Sequence, residues 1–166
     1  MKTIVFGPSG SGKTYLAGYL AKQGLPAYDA DQIEGLCSWY SQSGIRVSPP
    51  ASAEQALNNG YSFLWSRKVL IKFLDNRPEV FVFGGSGNVF NMIDLFDRAY
   101  FLKVDKNVQL ERLNSIHRPA PMMDFDRKGA VIWGDRLEQE ALKQNIPFID
   151  ANQSPEEIYK QFRTTI

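Results

Sequence analysis

Gly7-Pro8-Ser9-Gly10-Ser11-Gly12-Lys13-Thr14 is the stretch from which the rest of the chain is read. It fits G-x-x-x-x-G-K-[ST] at every fixed position. Glycines in this spacing let consecutive backbone N–H groups turn inward around phosphate oxygens, and the helix that follows adds its positive N-terminus. Lys13 is then placed to reach the β and γ phosphates of a nucleotide, and the Thr14 hydroxyl to hold Mg²⁺. Gly7 to Thr14 are therefore the expected ATP-binding residues. A chance match is rare, on the order of one in a few hundred chains of this length, and the flanks make it rarer. Thr3 to Phe6 is a β-branched and aromatic run suited to a buried parallel strand. Tyr15 to Gln23 continues as a helix with apolar Leu16, Tyr19 and Leu20, stopped by Gly24.

Composition narrows the surroundings of this loop. The 166 residues are 43% apolar and 13% aromatic, enough for one domain that buries about two thirds of its unfolded surface without staples. Nineteen Lys and Arg against eighteen Asp and Glu leave a net charge of +1, so no global field draws the chain to nucleic acid or anionic lipid. Neither partner is expected. An anion must be held locally. Cys37 is the one cysteine, and no secretory leader or membrane-length apolar run is legible, so a reducing cytoplasm is the expected location.

Strand-like runs recur at Ala27-Tyr28, Val80 to Phe83, Ala99 to Val104 and Pro147 to Ile149, with helical patterns between them. That alternation predicts an α/β fold, a five-stranded parallel sheet with helices on both faces. The expected helices are Gln32 to Tyr40, Gly60 to Asn76, Val89 to Phe96, Lys106 to Ile116, Ala130 to Asn145 and Pro155 to Thr164. The last opens with Ser154 as N-cap, Pro155 at the first helical position and Glu157 in the capping-box place. Ser41 to Ser52 and His117 to Gly129 carry Pro and Gly signals and no periodicity, the pattern of binding loops or lids. A single domain over residues 1–166 is expected, with an acceptor-side segment at about 32–76 and a lid at about 117–129.

The position of the metal-supporting acid separates classes of phosphate-loop protein. Motors and hydrolases end an apolar strand in Asp, but Val80 to Phe83 runs into Gly84-Gly85-Ser86-Gly87. Two acids instead follow the second short strand, in Tyr28-Asp29-Ala30-Asp31. Strand C-terminal ends form one rim of such a sheet, so these acids are expected to face the phosphates.

Here the sequence resembles the shikimate kinase, gluconate kinase and nucleoside monophosphate kinase group of small phosphate-loop kinases. Asp29-x-Asp31 before Ile33-Glu34 is similar to the D-x-D-x-x-I-E segment of shikimate kinases, one residue shorter before the Ile. Gly84-Gly85-Ser86 is similar to their G-G-G substrate turn, with Ser86 for the third glycine. Arg118-Pro119 matches the opening of their lid, without the two leucines that follow. Arg136 stands where R-x-x-x-Y-x-E-x-A begins, although Glu140, Leu142 and Gln144 replace its later members. The chain also resembles small bacterial ATPase-like proteins of the same superfamily through Asp29-Ala30-Asp31-Gln32-Ile33-Glu34-Gly35-Leu36-Cys37-Ser38-Trp39, Leu64-Trp65, Gly85-Ser86-Gly87-Asn88 and Asp94-Leu95-Phe96-Asp97. The first resemblance implies a three-layer α/β/α P-loop NTPase fold with the kinase-type strand order 2-3-1-4-5. It also implies that Gly84, Gly85 and Ser86 border the substrate, and that the loop of Asp150 and Asn152 borders the adenine.

Chemistry assigns the remaining roles. Phosphoryl transfer asks a protein to position groups and neutralise charge. A hydroxyl acceptor gains from a carboxylate that takes its proton; Asp31 is the first choice, with Asp29 supporting hydrated Mg²⁺, and the two roles are exchangeable. The alternative is that both acids cap the next helix. Arg118 and Arg136 are candidates to close over the transferring phosphate, with Arg112, Arg127 and Lys128 weaker ones. Arg67 aligns with Leu64, Ile71 and Leu74 on an apolar helix face, where it would bind an acceptor anion or an internal acid. Trp39 and Trp65 either stack on a planar acceptor or belong to the core. The expected activity is ATP-dependent, Mg-assisted phosphorylation of a small hydroxyl acceptor such as a nucleoside, nucleotide or shikimate-like compound, by a monomer or homodimer. The competing class is an ATP-binding regulator or slow NTPase without an acceptor.

Overall fold

Lys2–Phe6 forms the first strand, β1, and Ile4, Val5 and Phe6 are wholly buried. A run apolar on both pleat faces needs cover on both sides of the sheet, and the rest of the chain supplies it. The computed structural model describes residues 1–115 and 124–164. After β1 come α1 (Lys13–Lys22), β2 (Ala27–Asp29), a 3₁₀ turn (Ala30–Gln32), β3 (Cys37–Tyr40), β4 (Arg46–Val47), α2 (Ala53–Asn58), β5 (Ser62–Trp65), α3 (Arg67–Leu74) and β6 (Val80–Gly84). A 3₁₀ segment (Val89–Leu95), β7 (Arg98–Lys103), α4 (Lys106–Asn114), α5 (Asp124–Lys143), β8 (Phe148–Asp150) and α6 (Pro155–Thr164) complete the described chain.

The main sheet is parallel, in the order β2-β6-β1-β7-β8. Counting only its own five strands, this is 2-3-1-4-5, the kinase-type order. Two cores lie on its faces. Ile4, Phe6, Val82 and Phe101 point to one, where Leu70 of α3 and Leu137 and Ala141 of α5 pack. Val5, Phe81 and Phe83 point to the other, against Leu16 and Leu20 of α1 and Ile158 and Phe162 of α6. α6 begins with the reciprocal cap read from the sequence: Ser154 Oγ accepts the Glu157 N–H (3.2 Å), and Glu157 Oε2 accepts the Ser154 N–H (2.9 Å).

The acceptor-side segment departs from expectation. No helix spans Gln32 to Tyr40; Gly35 takes a left-handed φ of 73°, and Cys37–Tyr40 pairs antiparallel with β4 and with β5 in a separate three-stranded sheet. Trp39 lies directly opposite Phe63, with ring centroids 5.4 Å apart, a cross-strand aromatic pair that outweighs the helical spacing of the apolar residues. Leu64-Trp65 likewise belongs to a strand. The helix beyond it starts only at Arg67, where the Ser66 hydroxyl accepts the Val69 N–H (3.4 Å). Asn88 ties this sheet to the main one by pairing with the Trp65 backbone: Oδ1 accepts its N–H (2.9 Å) and Nδ2 donates to its carbonyl (3.0 Å).

Trp65 and the 3₁₀ turn close on the end of β6 at Gly84. A Cβ on Gly84 would stand 2.6 Å from Ala30 Cβ and 2.7 Å from Trp65 Cζ2. Gly84→Ala is expected to destabilise the fold by about 1–3 kcal/mol through overpacking. Urea denaturation would show this as a lower midpoint at unchanged slope, and an unchanged midpoint would mean that the junction is loose.

Candidate active site

β1 delivers the chain to the phosphate loop at the centre of the sheet, between β6 and β7. Gly10 and Gly12 have φ of 84° and 92°, left-handed values that L side chains resist. α1 then begins with no side-chain cap on its first N–H groups and no acid in its first turn. Those donors and the helix dipole make a place for an anion. Lys13 Nζ lies over the loop, donating to Gly7 O (2.8 Å), Pro8 O (2.7 Å) and Ser11 Oγ (3.3 Å). Thr14 is exposed in the same first turn.

The loop is tied from outside by α4. Gln109, 4% exposed, donates from Nε2 to Ser9 O (2.8 Å). Arg112 Nη1 reaches Gly10 O and Ser11 O (both 3.3 Å), and Nη2 reaches Ala151 O (3.4 Å). Arg112, a weak candidate in the sequence, is thus the arginine the described structure brings to the loop. Its one legible signal is the i, i+3 spacing from Gln109, which puts both on one face of α4. Arg112 also closes one side of a cleft of about 240 Å³ whose other walls include Gly12, Tyr15, Ala151 and Asn152. Asn152 therefore borders the cleft beside the loop. Asp150 accepts the Asn152 N–H (2.8 Å) and so shapes the turn, while Asn152 Nδ2 donates to Asp105 (3.3 Å).

β2 brings the two acids to the same rim. Asp29, 7% exposed, accepts the Asp31 N–H through Oδ1 (3.0 Å), so it does cap the short 3₁₀ turn. Asp31 extends from that turn. Its pKa is raised, first by lost hydration and then by the Asp29 charge, against lowering by the Cys37 thiol and the Lys13 ammonium. The Lys13 ammonium is the smallest of these four influences. Cys37 Sγ donates to Ala30 O (3.4 Å) and to Asp31 Oδ1 (3.6 Å), and burial beside Asp31 pushes its own pKa up to about 12. It is a neutral hydrogen-bond donor, not a nucleophile.

The residues after β6 divide. Gly84 is sealed against Ala30 and Trp65, and Ser86 is 1% exposed with its hydroxyl donating to Asn88 Oδ1 (2.9 Å). Gly85 alone faces the loop: the point its Cβ would occupy is 3.5 Å from Gly7 O and 3.2 Å from Trp133 Cη2. Trp39 packs on Phe63, and Trp65 is 2% exposed beneath Gly84. Both are packing residues. The indole beside the loop is Trp133, a position the sequence did not single out.

Arg67 does not share a buried face with Ile71, which is 49% exposed; Leu70 and Leu74 are the buried positions. Its guanidinium forks onto Asp94, with Nη1 to Oδ1 at 2.7 Å. The internal acid is thus its partner. Arg136 is exposed on α5, and Arg118 and His117 lie outside the described residues. Among the described residues no group of three His, Cys, Asp or Glu forms a metal cluster, and no helix is long and apolar enough to cross a membrane.

No family model matches the sequence, and no curated protein matches it. Among solved structures, the chain is similar to a shikimate kinase from Acinetobacter baumannii in complex with shikimate, at a TM-score of 0.56 and 18% identity, over 98% of this chain and 92% of that one. It is similar to a deoxyadenosine kinase from M. mycoides with bound dATP, at 0.52 and 16%, over 98% and 97%. A gluconokinase from Sinorhizobium meliloti gives 0.52 and 18%, over 96% and 87%. These likenesses establish the fold, which is that of the small phosphate-loop kinases.

The raised Asp31 pKa carries a stability consequence. The folded chain holds this proton to a higher pH than the unfolded chain does, so the group's contribution is full below the ordinary aspartate range and is lost as pH rises through the raised value. Asp31→Asn removes the loss. Its thermal midpoint is expected to exceed that of the parent at pH 7 and to match it near pH ~3, below the ordinary aspartate pKa; a lower midpoint at pH 7 would show that the carboxylate is stabilised where it stands.

Proposed function

We propose that the chain is an ATP-dependent phosphotransferase that moves the γ-phosphoryl group to the hydroxyl of a small acceptor. The observation that carries this reading is the glycine loop with Lys13 folded over it at the centre of a sheet whose strand β6 ends in glycines and not in an acid, while Asp29 ends the neighbouring strand β2 and Asp31 follows it at the same end. The glycine turns and the uncapped start of α1 offer N–H groups to the phosphates, and Lys13 leaves the loop carbonyls to neutralise the β and γ oxygens. Asp31 faces the acceptor. As the acceptor oxygen bonds to the γ phosphorus and the bond to the β-phosphate bridge breaks, the hydroxyl proton passes to the Asp31 carboxylate. Lost hydration and the neighbouring Asp29 make that carboxylate a stronger base than a free one.

The residues suit magnesium, which keeps several waters and takes few protein ligands. The Thr14 hydroxyl and Asp29, through water, would hold it, and when bound it neutralises phosphate charge. Arg112 steadies the loop and its cleft, where the base of the nucleotide would lie beside Tyr15 and Asn152. Arg118 and Arg136 are proposed to approach the transferring phosphate from the lid side.

An acceptor screen decides between this reading and an ATP-binding regulator. ADP formation is expected to depend on one class among nucleosides, their monophosphates, shikimate and sugar acids. Lys13→Ala is expected to lose nucleotide affinity. Asp31→Asn is expected to keep ATP binding while transfer falls by about 10²–10⁴, the usual worth of general-base catalysis. Slow ADP formation indifferent to every acceptor and to Asp31→Asn would make the protein a slow NTPase.

A further inference from the structure

Three side chains hold the carbonyls of the phosphate loop, and they differ in what else they do. Lys13 holds Gly7 O and Pro8 O (2.8 and 2.7 Å), and it leaves them to reach the phosphates. Arg112 spreads over Gly10 O, Ser11 O and Ala151 O (3.3, 3.3 and 3.4 Å) and walls the cleft beside Tyr15. Gln109 donates to Ser9 O at 2.8 Å and is 4% exposed. An amide kept almost wholly from water has to bond within the protein, and its partner here is a carbonyl of the loop.

The surroundings of Gln109 fit it to that bond. A Cβ on Gly10 would stand 3.2 Å from both Gln109 Cγ and Gln109 O, so the loop backbone lies directly on α4. From the other side α5 covers the amide: a Cβ on Gly134 would stand 3.6 Å from Gln109 Nε2 and 2.7 Å from Pro8 Cβ. The Ser9–Gly10 peptide is planar and trans, so a Ser9 carbonyl held against α4 turns the Gly10 N–H to the face away from α4. Gly10 and Gly12, at φ of 84° and 92°, shape this turn, and glycine loses the most freedom when its backbone is fixed. While Lys13 grips the first two carbonyls, the turn is held from two sides. Once Lys13 goes to the phosphates, α4 is left to hold it.

We propose that Gln109 is a positioning residue for phosphate binding, which keeps the Ser9–Gly10 peptide in place after Lys13 has released the loop carbonyls. This rests on the part of the phosphotransferase reading in which the loop takes the phosphates; it involves neither the acceptor nor Asp31. The weight of the bond falls on the loaded loop. A loop that must be ordered as it binds pays for that ordering in affinity, so Gln109 sets nucleotide affinity more than the stability of the free chain.

Calorimetric titration of the full chain with Mg·ATP, and with magnesium tripolyphosphate, which carries no base, tests the proposal. Gln109→Met keeps the length and packing of the side chain and removes the donor. It is expected to raise both Kd values by the same factor, about tenfold, the scale of one buried hydrogen bond, with the urea midpoint of the free chain little changed. Gln109→Glu sets a carboxylate oxygen against the Ser9 carbonyl and should bind more weakly still. A lower urea midpoint with both Kd values unchanged would show a packing role only and overturns the inference, as does a loss confined to Mg·ATP or binding as tight as the parent's in Gln109→Glu. Each of these leaves the phosphotransferase reading intact. In the parent, the Gln109 side-chain amide protons are expected to stay protected from exchange with solvent when Mg·ADP saturates the loop, and their exposure on binding overturns the inference even where the variants fold poorly. A parent chain that binds neither Mg·ATP nor tripolyphosphate overturns both readings.

Discussion

Everything in this structure depends on how closely β1 and the loop after it approach β7. A Cβ on Gly7 would stand 2.6 Å from the Leu102 carbonyl, inside any tolerable contact. That closeness keeps the loop flush with the end of the sheet and lets α1 start directly over the strand that feeds it. The loop's carbonyls are then the exposed liability. Lys13, Gln109 and Arg112 satisfy Gly7, Pro8, Ser9, Gly10 and Ser11 between them, and the Ser11 N–H closes a turn onto Pro8 O (3.2 Å). Donors from two sides, α1 and one face of α4, fix the loop before any ligand arrives, and preorganisation of this kind is what electrostatic catalysis requires.

Near-neutral composition conceals an ordered distribution of charge. The acids behind β2 lie on one side of the loop and the Arg112 guanidinium on the other, so the loop has carboxylates on its β2 side and a guanidinium on its α4 side. The raised pKa of Asp31 and the silenced thiol of Cys37 follow from the same crowding. Asp31 and Cys37 are each shifted by the other and by Asp29.

Sequence alone made the main sheet legible because its signals are local. β1, the glycine loop, β6 and the Ser154 cap each announce themselves within a few residues. The acceptor-side segment was misread because its structure is set by pairing at a distance: Cys37–Tyr40 and Ser62–Trp65 are separated by a turn and a short helix, and only their register against each other makes them strands. Arg67 was misplaced for the same reason, since its supposed helix partner Leu64 lies in β5. Of the site residues, those of the loop and the two acids could be read from spacing. Arg112, Gln109 and Trp133 could not, because nothing local distinguishes a helix-surface arginine or a core indole from one aimed at a loop 100 residues or more away.

The three-stranded sheet also separates the packing of the β6 turn from the layout of the loop. The five parallel strands and α1 place the loop without it. The inserted strands bury Trp65 under Gly84 and hold it there through Asn88, while α5 sets Trp133 against Gly85 and Gly134 against Pro8. Gly84 and Gly85 are thus each set against a tryptophan from an element far away in sequence, Trp65 of β5 and Trp133 of α5. Packing between elements distant in sequence, and not the phosphate loop, therefore shapes the β6 turn on the Asp31 side of the rim.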